Sequence, residues 1–177
     1  GRLTAYEYGL QGKLVRTTFP DGTSIRQTWD ANGRRTSETN EEGQVTTYGY
    51  DALGRLVSVG GHAGTATYAY DEAGNRVSQT DALGRVTQMR YDALSRLVER
   101  RYPSGASESF AYDAVGNQVA RIDGLGRMTS TVYDAMDRRV SRTLPGGGVV
   151  TYAYAPDGRR TAVAAANGVT AYAYDAA

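Results

Sequence analysis

Tyr50-Asp51-Ala52-Leu53-Gly54-Arg55-Leu56 is the stretch that decides the fold of this chain. An Asp in that place can accept hydrogen bonds from backbone N–H groups two or three residues on. Ala and Leu suit a type I turn, and Gly takes the left-handed conformation that a β-branched residue would resist. The string therefore reads as a hairpin loop ending in a G1 bulge. Before it stands a run of β-formers, Gln44-Val45-Thr46-Thr47-Tyr48-Gly49-Tyr50, closed by the aromatic. The same event recurs at Tyr8, Trp29, Tyr50, Tyr70, Tyr91, Tyr112, Tyr133, Tyr154 and Tyr174, with spacings of 21, 21, 20, 21, 21, 21, 21 and 20 residues. A period near 21 marks an array built from one small unit.

Halfway through each unit lies a second turn, at Gly22, Gly43, Gly64, Gly84, Gly105, Gly126, Gly147 and Gly168. Asp81-Ala82-Leu83-Gly84-Arg85 and Asp123-Gly124-Leu125-Gly126-Arg127 reuse the first turn's grammar, and Pro20, Pro103 and Pro145 open three others. Gly every ten or eleven residues disfavours helix. The pattern predicts an all-β chain: a repetitive antiparallel hairpin meander of about eight repeats of ~21 residues and roughly sixteen strands, too many to stay open and flat without curling. Period two places Tyr48 with Tyr50, Tyr68 with Tyr70 and Tyr152 with Tyr154 on one face, with Gly or Ala on the other. Ser95 and Asp137 replace Gly at two turns and are expected to be strained. Between Gly64 and Thr67 one residue is missing, to be absorbed at the turn or by loss of a bulge. The chain reads as one array over residues 1–177, with no second domain, and as a segment of a larger assembly because Tyr174-Asp175-Ala176-Ala177 is a repeat cut short.

Composition removes several function classes. A net charge of +1, from 20 basic and 19 acidic residues, offers no basic track for nucleic acid. No apolar run is long enough to span a membrane as a helix. Cysteine is absent, so disulfides, thiol catalysis and cysteine metal sites are excluded. Leu, Ile, Val and Phe number only 29, and 14 Tyr supply the apolar area they would otherwise give.

Candidate chemistry is thin beside this scaffold. His62, the single histidine, sits in Gly60-Gly61-His62-Ala63-Gly64, a turn and not the setting of a triad. Asp30, Asp51, Asp71, Asp92, Asp113 and Asp134 match no calcium loop and read as turn caps. The glycines follow the turn period and not a phosphate-binding loop. The chain is therefore expected to be no enzyme, with no catalytic, cofactor or metal residues. The positions that carry the repeat are Trp29, Asp30 and Gly33; Tyr50, Asp51, Gly54 and Arg55; Tyr70, Asp71 and Gly74; Tyr91, Asp92 and Arg96. They continue through Tyr112, Asp113 and Gly116; Tyr133, Asp134 and Arg138; Tyr154, Gly158 and Arg159. Arg34, Arg55, Arg96, Arg138 and Arg159 are expected to pair with turn Asp residues of neighbouring units. Trp29 is the best single candidate for a ligand contact, because aromatic rows can stack on sugar rings.

The strings at Tyr50–Leu56, Tyr70–Arg76, Tyr91–Leu97, Tyr112–Asn117 and Tyr133–Arg138, with degenerate copies at Tyr8, Trp29 and Tyr154, resemble the YD (Rhs) repeat family over essentially the whole chain. The resemblance implies a β-strip that spirals into a hollow shell. In bacterial Rhs proteins and insecticidal toxin complexes the shell encloses a C-terminal toxin; in teneurins a similar shell belongs to an adhesion receptor. It implies a secreted or bacterial cell-surface structural segment, with flanking repeats and a C-terminal toxin cargo as partners. A cell-surface carbohydrate-binding or adhesion module is the alternative. The chain lacks the Pro-rich terminating segment, the self-cleaving aspartyl machinery and the variable toxin tail of that family, so the expectation is a wall piece.

Overall fold

A computed structural model describes residues 3–175; Ala176 and Ala177, the end of the last repeat string, lie outside them. The chain divides into two compact units between Gln88 and Met89. In the first, the strands are β1 (Ala5–Tyr8), β2 (Leu14–Thr18), β3 (Ser24–Trp29), β4 (Arg35–Thr39), β5 (Val45–Tyr50), β6 (Leu56–Gly61), β7 (Gly64–Tyr70) and β8 (Arg76–Thr80). Strand β9 (Val86–Tyr91) begins in the first unit and ends in the second. The second unit continues with β10 (Leu97–Arg101), β11 (Ser107–Tyr112), β12 (Gln118–Ile122), β13 (Met128–Tyr133), β14 (Arg139–Thr143), β15 (Val149–Tyr154), β16 (Arg160–Ala165) and β17 (Gly168–Ala171). One 3-10 turn, Leu10–Gly12, is the sole helical element among the described residues.

Within each unit every strand pairs antiparallel with the next in sequence, as a hairpin meander requires. Seventeen strands are described, one more than the repeat count suggests. Eight end on the predicted aromatic, from Tyr8 to Tyr154. The ninth, β17, stops at Ala171, short of Tyr174.

Both kinds of turn close in the same way. At Asp51, its N–H donates to Arg55 O at 3.0 Å and Gly54 N–H donates back to Asp51 O at 3.0 Å. At Asn40 the equivalent bonds run to Gln44 and from Gly43. Gly54 holds φ +81°, the left-handed value that the sequence demanded there. Ser95 (φ +60°) and Asp137 (φ +59°) adopt it too, as expected, and Gln11 (φ +62°) adds a case the sequence did not announce. After the aromatic turns the ladder carries a further bulge. Tyr50 faces Leu56 while Gly49 faces Ser58, which leaves Val57 as the extra residue.

The missing residue near Gly64 is taken out of the turn. Gly61 pairs directly with Gly64 across a two-residue loop, His62-Ala63, and the bulge at Tyr70 remains. Ala165 and Gly168 repeat the device around Ala166-Asn167, which accounts for the second spacing of 20. Because the loop loses the residue and the strands do not, the tyrosines stay on their face.

No described side chain is fully enclosed. Met89 (8% exposed) and Glu108 (7%) are the least accessible residues among those described. Each unit is a single sheet layer with one better-covered face, along which Tyr48, Tyr50, Tyr68 and Tyr70, or Tyr112, Tyr133, Tyr152 and Tyr154, lie half-buried. Cohesion comes from the backbone ladder and from cross-strand side-chain pairs worth roughly 0.2–1 kcal/mol each, summed along the array.

Candidate functional site

The repeat positions form a three-part staple. The first part is the Asp. Asp51 Oδ1 accepts from the N–H groups of Leu53 (3.0 Å) and Arg55 (2.9 Å), and Oδ2 accepts from Arg55 Nε at 2.7 Å. Asp30, Asp92 and Asp134 do the same with Arg34, Arg96 and Arg138. The hydrogen bond from the Arg55 side chain is the main cause that holds the Asp51 carboxyl below the usual carboxylate range. At Asp123 the same bond from Arg127 brings the pKa to about 2.

The second part is the Arg. Its guanidinium pairs with the carboxylate of its own turn, not with a neighbour's as the sequence suggested. What it gives the next repeat is a donor to the backbone: Arg55 Nη1 reaches Asp71 O at 3.0 Å and Arg96 Nη1 reaches Asp113 O at 2.9 Å. The turn's own carboxylate lies four residues away along a tight loop, within reach of Nε, and the outer nitrogen is left for the neighbour.

The third part is the aromatic. Arg34 lies over Tyr50, Arg55 over Tyr70, Arg96 over Tyr112 and Arg138 over Tyr154, each 4.8–5.0 Å from the ring centroid. The tyrosine hydroxyl then donates to a backbone carbonyl near the start of the preceding strand: Tyr50 to Arg35 O (3.0 Å), Tyr70 to Leu56 O (2.8 Å), Tyr112 to Leu97 O (2.9 Å), Tyr154 to Arg139 O (2.8 Å). Tyr174, beyond its strand, still reaches Arg160 O at 2.8 Å. The hydroxyl bond was not visible in the sequence, although the fixed Tyr-to-Arg spacing was its signal.

Trp29 takes the tyrosine's place and uses it in the same way. Its Nε1–H donates to Leu14 O at 2.9 Å and Lys13 Nζ lies 5.2 Å from the ring centroid. The indole is half-buried, its one donor is spent and Lys13 lies over one face, so it takes part in the staple. It lines a hollow of about 330 Å³ with Lys13, Val15 and Asp30. Where Asn replaces Arg the staple thins. Asn117 Nδ2 holds Asp113 Oδ2 (3.1 Å) and Asp137 Oδ1 (2.8 Å), and Tyr133 reaches Gln118 O at 3.3 Å.

Glu108 forms a cluster that the repeat does not predict. It accepts from Tyr102 Oη at 2.8 Å and from Arg121, with Arg100 at 3.6 Å. The Arg121 bond leads the causes that keep its carboxyl below the ordinary range. His62 is exposed in its loop. Among the described residues no group of His, Cys, Asp or Glu is arranged to hold a metal, and no helix is long and apolar enough to cross a membrane.

Comparison with known proteins agrees with this geometry. The model of the Teneurin YD-shell family matches residues 8–177. No curated protein sequence matches the chain. Among solved structures, TcdB2-TccC3 without its hypervariable C-terminal region is similar with a TM-score of 0.71 at 16% identity, over 90% of this chain. TcdB2-TccC3-TEV is similar with a TM-score of 0.63 at 15% identity, over 97%. The Tc holotoxin pore of Photorhabdus luminescens gives a TM-score of 0.50 at 14% identity, over 93%. This chain spans 11%, 12% and 14% of those chains.

Proposed function

The chain belongs to the Teneurin YD-shell family, and on that footing we propose that it is a non-catalytic length of shell wall that encloses or carries a C-terminal toxin for delivery outside the producing cell. The observation that carries the reading is the staple. At repeat after repeat the Tyr, the Arg and the Asp are spent on tying one turn to the next, which is what a wall needs and what a reaction centre cannot spare. A single sheet layer with no enclosed core separates two volumes, and its hydrogen-bonded ladder resists local opening. Residues 1–177 are then one array within a longer shell, continuous with flanking repeats and acting on its cargo by exclusion. The resemblance to structures of TcdB2-TccC3, one of them without a hypervariable C-terminal region, supports this placement.

The experiment is limited proteolysis, followed by mass spectrometry, on the polypeptide that carries these repeats together with a downstream region. Encapsulation predicts that the downstream region survives while the repeats are native and is digested once they are unfolded. Immediate cutting of that region beside intact repeats would show an exposed strip and end the reading.

A further inference from the structure

The aromatic ladder on the covered face is broken at Gln27, Met89 and Thr131, and only at Thr131 by a small residue. Gln27, Tyr48, Tyr68, Phe110, Thr131 and Tyr152 stand at equivalent points of their strands, opposite Glu38, Val59, Gln79, Arg121, Arg142 and Val163. In the second unit the bulky occupants are Phe110 and Tyr152, and Thr131 between them is small. The gap it leaves is a cleft of about 240 Å³ across β12, β13 and β14. That is room for about eight waters at roughly 30 Å³ each, and so for an acidic side chain.

The walls of the gap are cationic. Arg121, Arg139 and Arg142 line it, together with Thr129, Thr131 and Tyr133. Arg121 sits beside Thr129 on β13 and Arg142 sits opposite Thr131, so both guanidinium-bearing positions flank the small residue. Of the three arginines, Arg121 is paired with Glu108, whereas Arg139 and Arg142 have no carboxylate at close range among the described residues. Glu108 is the one carboxylate of the cluster and is shared by Arg100 and Arg121. Asp123 and Asp134, at the nearby turns, are held by Arg127 and Arg138. Arg139 leans over the Tyr152 ring at 5.8 Å, and Arg142 has no carboxylate partner among the described residues.

We propose that this cleft binds the carboxylates of an acidic polypeptide segment. Guanidinium forks match carboxylates in plane. Arg142 is half-buried, so a pair made there is less screened than one on an open surface, while Arg121 and Arg139 are exposed. The Thr129 and Thr131 hydroxyls supply further donors to the same oxygens. A nucleic acid would need a continued basic track. Instead the positions on either side along this face are apolar or aromatic: Phe110 before the cleft, Val150, Tyr152 and Val163 after it. A neutral sugar would need an open aromatic face, and the face of Tyr152 is occupied by Arg139. The proposal goes beyond the wall reading and does not depend on it.

The test is isothermal titration of the whole chain with hexaglutamate, with hexaglutamine and with inorganic phosphate, at low and at high salt. Hexaglutamate should bind at low salt and weaken as salt rises, and hexaglutamine should not bind. Arg142→Gln should weaken hexaglutamate at least tenfold. Thr131→Tyr, which restores the ladder and leaves every charge in place, should abolish binding with an unchanged circular dichroism spectrum. Absence of hexaglutamate binding at low salt would overturn the proposal, as would equal binding by wild type and Arg142→Gln. So would inorganic phosphate binding more tightly than the peptide. Arg142 is half-buried and engages no carboxylate, so its variant decides the matter even if Thr131→Tyr does not fold.

Discussion

Ser95 occupies a backbone conformation, φ +60°, that glycine fills at most of the equivalent turns. The left-handed region costs a residue with a Cβ about 1–2 kcal/mol, and glycine itself loses about 0.5–1 kcal/mol of chain entropy on ordering. Ser95→Gly is therefore expected to stabilise the protein by about 0.5–1 kcal/mol, read as a higher midpoint in urea; a lower midpoint would show that the serine's local bonds outweigh its strain. The turn aspartates set the acid limit. Their carboxyls are held below the ordinary value in the folded protein, chiefly by hydrogen bonds from the Arg four residues on at Asp51, Asp81, Asp92, Asp123 and Asp134. A lowered folded pKa means that stability is complete above the unfolded value and disappears as pH falls through the folded one. The chain should hold its stability down to about pH 4, near the unperturbed Asp value, and lose it towards about pH 2, where Asp123 titrates. Urea midpoints measured at stepped pH check this, and a midpoint unchanged from pH 5 to 2 would contradict it.

Between neighbouring hairpins the staple is the coupling element, and it is not equally strong everywhere. Arg96 joins Asp92, the Tyr112 ring and Asp113 O, whereas Asn117 leaves the Tyr133 ring without a guanidinium from that position. Arg96→Gln should lower the melting temperature by about 2–4 °C, the shift that ~1 kcal/mol gives at this chain length, and Asn117→Arg should raise it. Differential scanning fluorimetry of both variants tests the pair, and a rise on Arg96→Gln would refute the coupling. Much of this element was legible beforehand. The Asp and Gly of each turn announce themselves because a three-residue loop has few alternatives, and Ser95 and Asp137 stood out for the same reason. The direction of the Arg was not legible, since a guanidinium can reach its own turn or the next and sequence spacing allows both. Nor was the cleft at Thr131. The 21-residue period aligns Thr131 with Phe110 and Tyr152, but that Arg121 and Arg142 flank it follows from the cross-strand register, which the extra bulge residue after each aromatic shifts.

Across a whole unit, each hairpin touches mainly its neighbours, so damage should remain local. Gly54→Val puts a β-branched residue at φ +81° and should open its own turn together with β5 and β6. Hydrogen exchange should rise there while β2 and β3 keep their protection; uniform loss through the unit would mean that it melts as one body. The single-layer construction reaches further, into calorimetry. Heat capacity rises on unfolding because apolar surface becomes hydrated, by about 12–15 cal/mol/K per residue in ordinary globular domains. A protein whose least accessible side chains, among the described residues, are one methionine and one glutamate has little dry surface left to wet. Its increment per residue should fall below that range, and its stability should then vary gently with temperature, fading slowly on warming and scarcely weakening in the cold.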